Sequence, residues 1–271
     1  MTAEHKVVSH DEWIEARKAF LVREKEFARR REALARDRRD LPWEAVTKEY
    51  VFDGPAGKRT LRDLFEGRGQ LVVYHFMFPP EWDAGCPHCS FWADSFNGSP
   101  AHLRARDASF AAVSRAPLAK IAAYKQRMGW SFPWYSAGET AFNYDFGVSF
   151  PAAAVADGTA VYNYVSEPGL EDREGISAFV QDGQGQVFHT YSTYARGIDP
   201  VNSTYQLLDL TARGRDEPAE LVAQDADVTS SRHLARDHRG QCCRPQRQGL
   251  QHEPPAHGGL PQFGHRRRRL R

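Results

Sequence analysis

Large apolar residues recur every seven positions near the start of the chain: Trp13, Phe20, Phe27 and Leu34, with Ala16 between the first two. That is one stripe along a long helix. Ser9 and Glu12 start it as a capping box, since each side chain can accept from the other's free backbone N–H. The helix should end near Asp40, where Leu41-Pro42-Trp43 breaks the pattern. Its other faces carry charge, including Arg29, Arg30, Arg31, Arg38 and Arg39, interleaved with acids. The plain reading is a helix packed on the body with a solvated outer face. The sharper readings are a dimer arm or a nucleic-acid contact.

The pattern then shortens. VTKEYVFDGPAGKRT alternates and turns at Asp53-Gly54-Pro55, a hairpin signal. LRDLFEGRG reads as a short helix with a glycine stop. LVVYHFMF is apolar on both faces, as a covered central strand would be, and Pro79-Pro80 end it. After the loop EWDAG comes GCPHC, opening SFWADSF as a helix. FAAVSRAP is a second buried strand, LAKIAAYKQRMG an amphipathic helix with a glycine stop, and FPWYS a third short strand. Residues 141–174 fit either strands or an ordered loop. ISAFVQDGQGQVFHTYSTYARG is a hairpin turning at Asp182-Gly183-Gln184-Gly185, and YQLLDLTARG a closing helix. Alternating strands and helices predict an α/β domain, its sheet parallel in the first half and covered on both faces.

Apolar periodicity stops near Arg213, and every basic residue after Lys125 is arginine. Such a tail, ending in HRRRRLR, cannot bury enough apolar surface to offset the entropy of ordering. The expected divisions are a helical arm over 1–42, a domain over 43–214 and a disordered tail over 215–271. A shifted reading frame would explain the tail's composition. A nucleic-acid-binding arm is the rival reading.

Composition narrows the partners. Over 271 residues the formal net charge is +1, so the whole molecule offers no strong field to nucleic acid or an anionic membrane. The N-terminus lacks the apolar core of a secretory signal, and no apolar run approaches the ~20 residues of a membrane helix. A cytoplasmic location is expected by default. There a close cysteine pair is more often catalytic or metal-binding than structural.

Cys86 and Cys89 form that pair, with Pro87 and His88 between them and Gly85 before. Gly85 permits a sharp turn. Pro87 suits a first helical turn because it needs no N–H partner. Cys86 should then sit half-exposed at the helix start, where the dipole depresses its pKa, with Cys89 beneath it one turn on. In this reading Cys86 attacks a substrate disulfide and Cys89 resolves the mixed species. A charged His88 would assist, while Glu81 and Asp83 would oppose. The alternatives are half of a zinc site or no function. Zinc needs two more clustered ligands, and the other cysteines, Cys242 and Cys243, are adjacent and lie in the tail. His75, His102 and His189 are scattered, the first and last within strands as core or pocket residues. No cofactor is required. The expected partner is a disulfide-bearing protein or small thiol, with a homodimer through the N-terminal helix as a further possibility.

HDEWIEARKAFLVREKEF, CSFWAD, MGWSFPWYSA, FNYDFGVSF and VFHTYSTYARG together resemble a bacterial thioredoxin-like family filed as domain of unknown function 899, over residues 8–216. The resemblance implies a thioredoxin-like three-layer sandwich with a central mixed sheet. The Cys86-Pro87-His88-Cys89 tetrad is similar to that of strongly oxidising thiol oxidases. Two features depart from thioredoxin. Trp82 stands four residues before Cys86 rather than beside it, and EGISAF occupies the place of the usual cis-proline segment. Residues 141–174 resemble an insertion of peroxiredoxin-like relatives. A thiol peroxidase is therefore an alternative, with Arg104 or Arg115 as candidate partner of Cys86. A copper carrier using His189 is another. Phe91, Trp92, Phe96, Trp130, Phe132, Trp134 and Tyr135 are expected mostly in the core.

Overall fold

The computed structural model describes residues 5–138, 140–164 and 169–217. Of the tail expected to be disordered over 215–271, residues 215–217 are described, and Arg215 is instead tied to the body, 2.7 Å from Asp199 and 2.8 Å from Asp209; the remainder, and both readings of its origin, lie outside the described residues. Helix α1 (His10–Arg39) starts on the expected capping box: the Ser9 hydroxyl accepts from the Glu12 amide, and the Glu12 carboxylate accepts from the Ser9 amide. None of its residues is buried. The expectation that its apolar stripe packs against the body is therefore wrong. Trp13, Phe20, Phe27 and Leu34 stay 54, 49, 68 and 59% exposed.

Eight strands form one mixed sheet: β1 (Glu44–Ala45), β2 (Val51–Gly54), β3 (Gly57–Thr60), β4 (Gln70–His75), β5 (Ala108–Ser114), β6 (Trp134–Ser136), β7 (Gly175–Gln181) and β8 (Val187–Tyr194). Their spatial order is β1-β8-β7-β4-β5-β6-β2-β3. β4, β5 and β6 run parallel, as the βαβ pattern requires, while β7 pairs antiparallel with β4 and β8 with β7. The expected hairpins are present at β2–β3 and β7–β8. β1, unforeseen in the sequence, pairs with β8.

Two crossover helices, α2 (Pro87–Phe96) and α4 (Leu118–Met128), send Cys89, Ala93, Phe96, Ile121 and Tyr124 into one apolar cluster with Tyr74, Phe76 and Ala112. Consecutive right-handed crossovers place both helices on the same face of the sheet. On the other face Leu71, Val73, Ala111 and Val113 meet Leu64 and Phe65, from a single 3-10 turn, together with Phe142 and Phe179. The core strands β8-β7-β4-β5, with β4, β5 and β8 running one way and β7 alone reversed, and with a cysteine pair opening the helix after β4, make the molecule a thioredoxin-like three-layer sandwich. Helix α3 (Ser99–Arg104) follows α2, and α7 (Ser203–Leu208) closes the body after a 3-10 segment, Ala195–Val201. Residues 141–164 and 169–174 are neither long strands nor plain loop. They hold two short helices, α5 (Phe142–Asp145) and α6 (Ala152–Ala156), and one isolated bridge between Ser149 and Asp172. Among the described residues no helix is long and apolar enough to cross a membrane.

Candidate functional site

The cysteine pair lies where the central strand hands the chain to α2. β4 ends at His75, and Phe76, Met77 and Phe78 continue into the core. The chain loops out through Pro80 and returns, the Cys86 amide donating to the Met77 carbonyl at 3.1 Å. Gly85 is needed on the way, for space rather than for a turn. A Cβ there would stand 2.6 Å from Phe76 Cε1 and 3.1 Å from Tyr124 Cε1. Lys120 Nζ pins the outer loop by donating to the Pro80 and Trp82 carbonyls at 2.9 and 2.8 Å. Trp82 and Ala84 pack against the apolar cluster that contains Cys86.

Cys86 is the N-cap of α2 and Pro87 its first residue, as expected, but the Cys86 side chain makes no capping hydrogen bond to the helix. Cys89 follows one turn later. Neither cysteine is in a disulfide, and both are buried, at 1 and 2% exposure. The expectation of a half-exposed Cys86 is thus overturned: the aromatic cluster and the folded-back loop close over it. Pro87 and His88 between them are exposed.

Polar contacts hold the turn from below. Ser90 Oγ donates to the Cys86 carbonyl at 2.9 Å and lies 2.9 Å from the Tyr124 hydroxyl, which itself donates to the Gly85 carbonyl at 3.3 Å. The Tyr74 hydroxyl donates to the Cys89 carbonyl at 3.2 Å. Tyr74 is fully buried, and desolvation holds its pKa well above the usual range, with Cys89 next in effect and Glu174 and Cys86 adding to it. Arg173 and Glu174, the two residues before β7, belong to the same neighbourhood. The Arg173 guanidinium stands over the Tyr162 ring at 4.7 Å and 3.6 Å from the Glu174 carboxylate. Burial works against its charge, but Glu174, Tyr162 and, more weakly, Cys89 hold its pKa above the ordinary value.

Arg173 and Glu174 were missed in the sequence because only the β4–β7 pairing brings them to the thiols, and Tyr74 because it reaches Cys89 only once α2 folds back over β4. The available signal was the absence of proline before ISAF; among the described residues there is no cis peptide. The two arginines singled out from sequence are engaged elsewhere. Arg104 lies 3.6 Å from Glu66, and Arg115 Nε donates to Asp172 at 2.8 Å. Of the aromatic set, Phe96, Trp130, Phe132 and Trp134 are core, while Phe91 and Trp92 stack edge-on against Tyr205.

The two strand histidines are not beside the thiols. His75 points to the opposite face of the sheet and lies in a buried polar chain. His75 Nδ1 is 3.3 Å from Asn143 Oδ1, and His75 Nε2 is 2.9 Å from Ser177 Oγ. Ser177 Oγ is 2.8 Å from Ser192 Oγ, Ser192 Oγ 2.7 Å from His189 Nε2, and His189 Nδ1 3.3 Å from Glu44 Oε2. His189 also lines a hollow of about 330 Å³ with Lys48, Tyr50, Asp145, Phe146 and Tyr194. A copper site joining His189 to Cys86 and Cys89 therefore lacks its geometry. Among the described residues no three His, Cys, Asp or Glu side chains cluster as metal ligands.

No curated protein matches the sequence. Among solved structures the chain is similar to the peroxidoxin BcpB of Mycobacterium tuberculosis, at 16% identity and a TM-score of 0.41, covering 62% of this chain and 97% of that one. It is similar to Xanthomonas campestris peroxiredoxin Q at 17% identity and a TM-score of 0.44, covering 64% and 99%. For the yeast mitochondrial 1-Cys peroxiredoxin the values are 20%, 0.36, 64% and 78%. At such values the likeness carries no argument about activity. One family model matches residues 2–236, running past the residue 216 at which the resemblance was expected to stop. The chain belongs to that family, the bacterial proteins of unknown function DUF899.

Proposed function

We propose that the protein is a thiol–disulfide oxidoreductase that works through Cys86 and Cys89. The observation that carries this reading is the placement of two cysteines one turn apart at the N-terminus of a helix that follows the central strand. The helix end favours a thiolate at Cys86 through its partial positive charge. The Cys86 thiolate attacks one sulfur of a substrate disulfide, forming a mixed disulfide and expelling one substrate thiolate. Cys89, deprotonated, attacks Cys86 Sγ, closes the Cys86–Cys89 disulfide and expels the second thiolate. Two electrons pass from the dithiol to the substrate, and the two displaced thiolates take up the protons.

Burial favours a second reading, a thiol peroxidase. A small peroxide reaches a covered thiol more readily than a protein disulfide does. Cys86 would then take the terminal peroxide oxygen as a sulfenic acid and release alcohol or water. Cys89 would condense with it, releasing water and forming the same disulfide.

The reduced protein, offered oxidised glutathione or hydrogen peroxide in turn, separates the readings. Cys86→Ser should reduce turnover of the true substrate to the uncatalysed rate. Cys89→Ser should accumulate a Cys86–glutathione adduct or a Cys86 sulfenic acid, read by intact-mass spectrometry. If neither oxidant yields the 86–89 disulfide in the folded protein, both readings fail.

A further inference from the structure

Helix α1 spans 30 residues without burying one of them. Its apolar side chains are nevertheless arranged. Trp13, Phe20, Phe27 and Leu34 recur every seven residues, a spacing that drifts only about 20° around a straight helix per step. All four are about half exposed or more. Such a stripe on a soluble helix marks a contact surface. The end of α1 is tied to the body, where the Arg38 guanidinium lies 4.6 Å over the Tyr191 ring.

Charge decides what covers the stripe and in which direction. Residues 10–16 contain Asp11, Glu12 and Glu15 and no lysine or arginine, a charge of −3. Residues 29–39 contain six arginines against Glu32 and Asp37, a charge of +4. A second α1 laid parallel would set like against like at both ends. Laid antiparallel, it sets the acidic start of each helix toward the basic end of the other. The same orientation places Trp13 opposite Leu34 and Phe20 opposite Phe27, so the stripe is complementary to itself under a two-fold axis. The positions flanking the stripe are charged, with Arg17 and Glu24 2.8 Å apart along it, which keeps the seam narrow.

We propose that two copies of this chain associate through their α1 helices, antiparallel, with Phe20 and Phe27 of each at the centre of the contact. Three aromatic side chains and a leucine per helix, already partly shaded, remove on the order of 1,000 Å² from water once the flanking stems are included. That is the small end of specific interfaces, so the dimer forms and dissociates with concentration.

Sedimentation velocity of the full chain over a range of concentrations tests this. The sedimentation coefficient should rise to that of a dimer with concentration, and Phe20→Glu with Phe27→Glu should hold it at the monomer value. The pair Phe20→Leu with Phe27→Leu should restore self-association, which separates loss of the interface from loss of the helix. For orientation, Ala16→Cys and Arg31→Cys chains are mixed and oxidised, and the linked peptides identified by mass spectrometry. Links from 16 to 31 support the antiparallel pair, and links from 16 to 16 overturn it. A chain that stays monomeric at every concentration overturns the proposal, as does a dimer indifferent to the glutamate pair. A monomer that instead binds anionic phospholipid vesicles through α1 assigns the stripe to a membrane surface and also overturns it.

Discussion

Gly85 shows how one missing side chain shapes the thiol site. Phe76 and Tyr124 already fill the space where its Cβ would lie. Gly85→Ala should therefore cost about 1–3 kcal/mol through overpacking. Urea unfolding checks this, and a midpoint equal to the parent's would refute it. His75 is a different case. Desolvation lowers its pKa to about 4, with the nearby His189 adding to the effect and the Asn143 hydrogen bond opposing it. The unfolded chain takes up a proton as pH falls through 6.5, and the folded chain does so only near 4. Stability is thus lost between those values, by about 3 kcal/mol, and no further below. His75→Gln removes this share of the slope and leaves the rest of the pH dependence to both proteins alike. Comparing urea midpoints of the two from pH 7 to pH 4 tests it; parallel curves would count against a neutral buried imidazole. At this scale the sequence was legible where chemistry is local. Cys86, Pro87 and Cys89 advertise themselves by spacing, whereas Arg173 meets the thiols only through the pairing of β7 with β4, and Tyr74 only once α2 folds back over β4.

Secondary elements were readable wherever one period governed them. The capping box of α1, the doubly covered β4 and the hairpin at Asp182–Gly185 all lie where pattern and turn chemistry agree. The stretch after β6 was opaque because its order comes from ties to distant residues. Arg115, at the end of β5, is bonded to Asp172, and the Ser149 hydroxyl donates to the same carboxylate at 2.6 Å. Burial raises the Asp172 pKa in spite of both partners. Tyr194 donates to the Phe146 carbonyl at 2.9 Å. Asp172→Ala leaves the partly buried Arg115 guanidinium with Tyr144 but without its carboxylate and should cost about 1–3 kcal/mol. Proteolysis should then cut first within residues 146–174, ahead of the sheet. An unchanged cleavage pattern would mean that Arg115 and Asp172 do not hold the segment. The failure to foresee how α1 sits has a related cause. An amphipathic stripe reports that a face will be covered and is silent on whether the cover comes from the same chain.

For the whole molecule, composition gave a near-neutral charge and the alternation of elements gave the layers, but the ends of the sheet emerge only from its strand order. One end is β1, two residues long, and the other is β3, whose Lys58 and Arg59 are exposed, with Lys58 paired to Asp53 at 2.7 Å. β1 itself offers an incoming strand few backbone groups, and at β3 a newcomer would have to strip water from exposed charges. Through these two strands, runaway stacking of chains edge to edge is thereby discouraged.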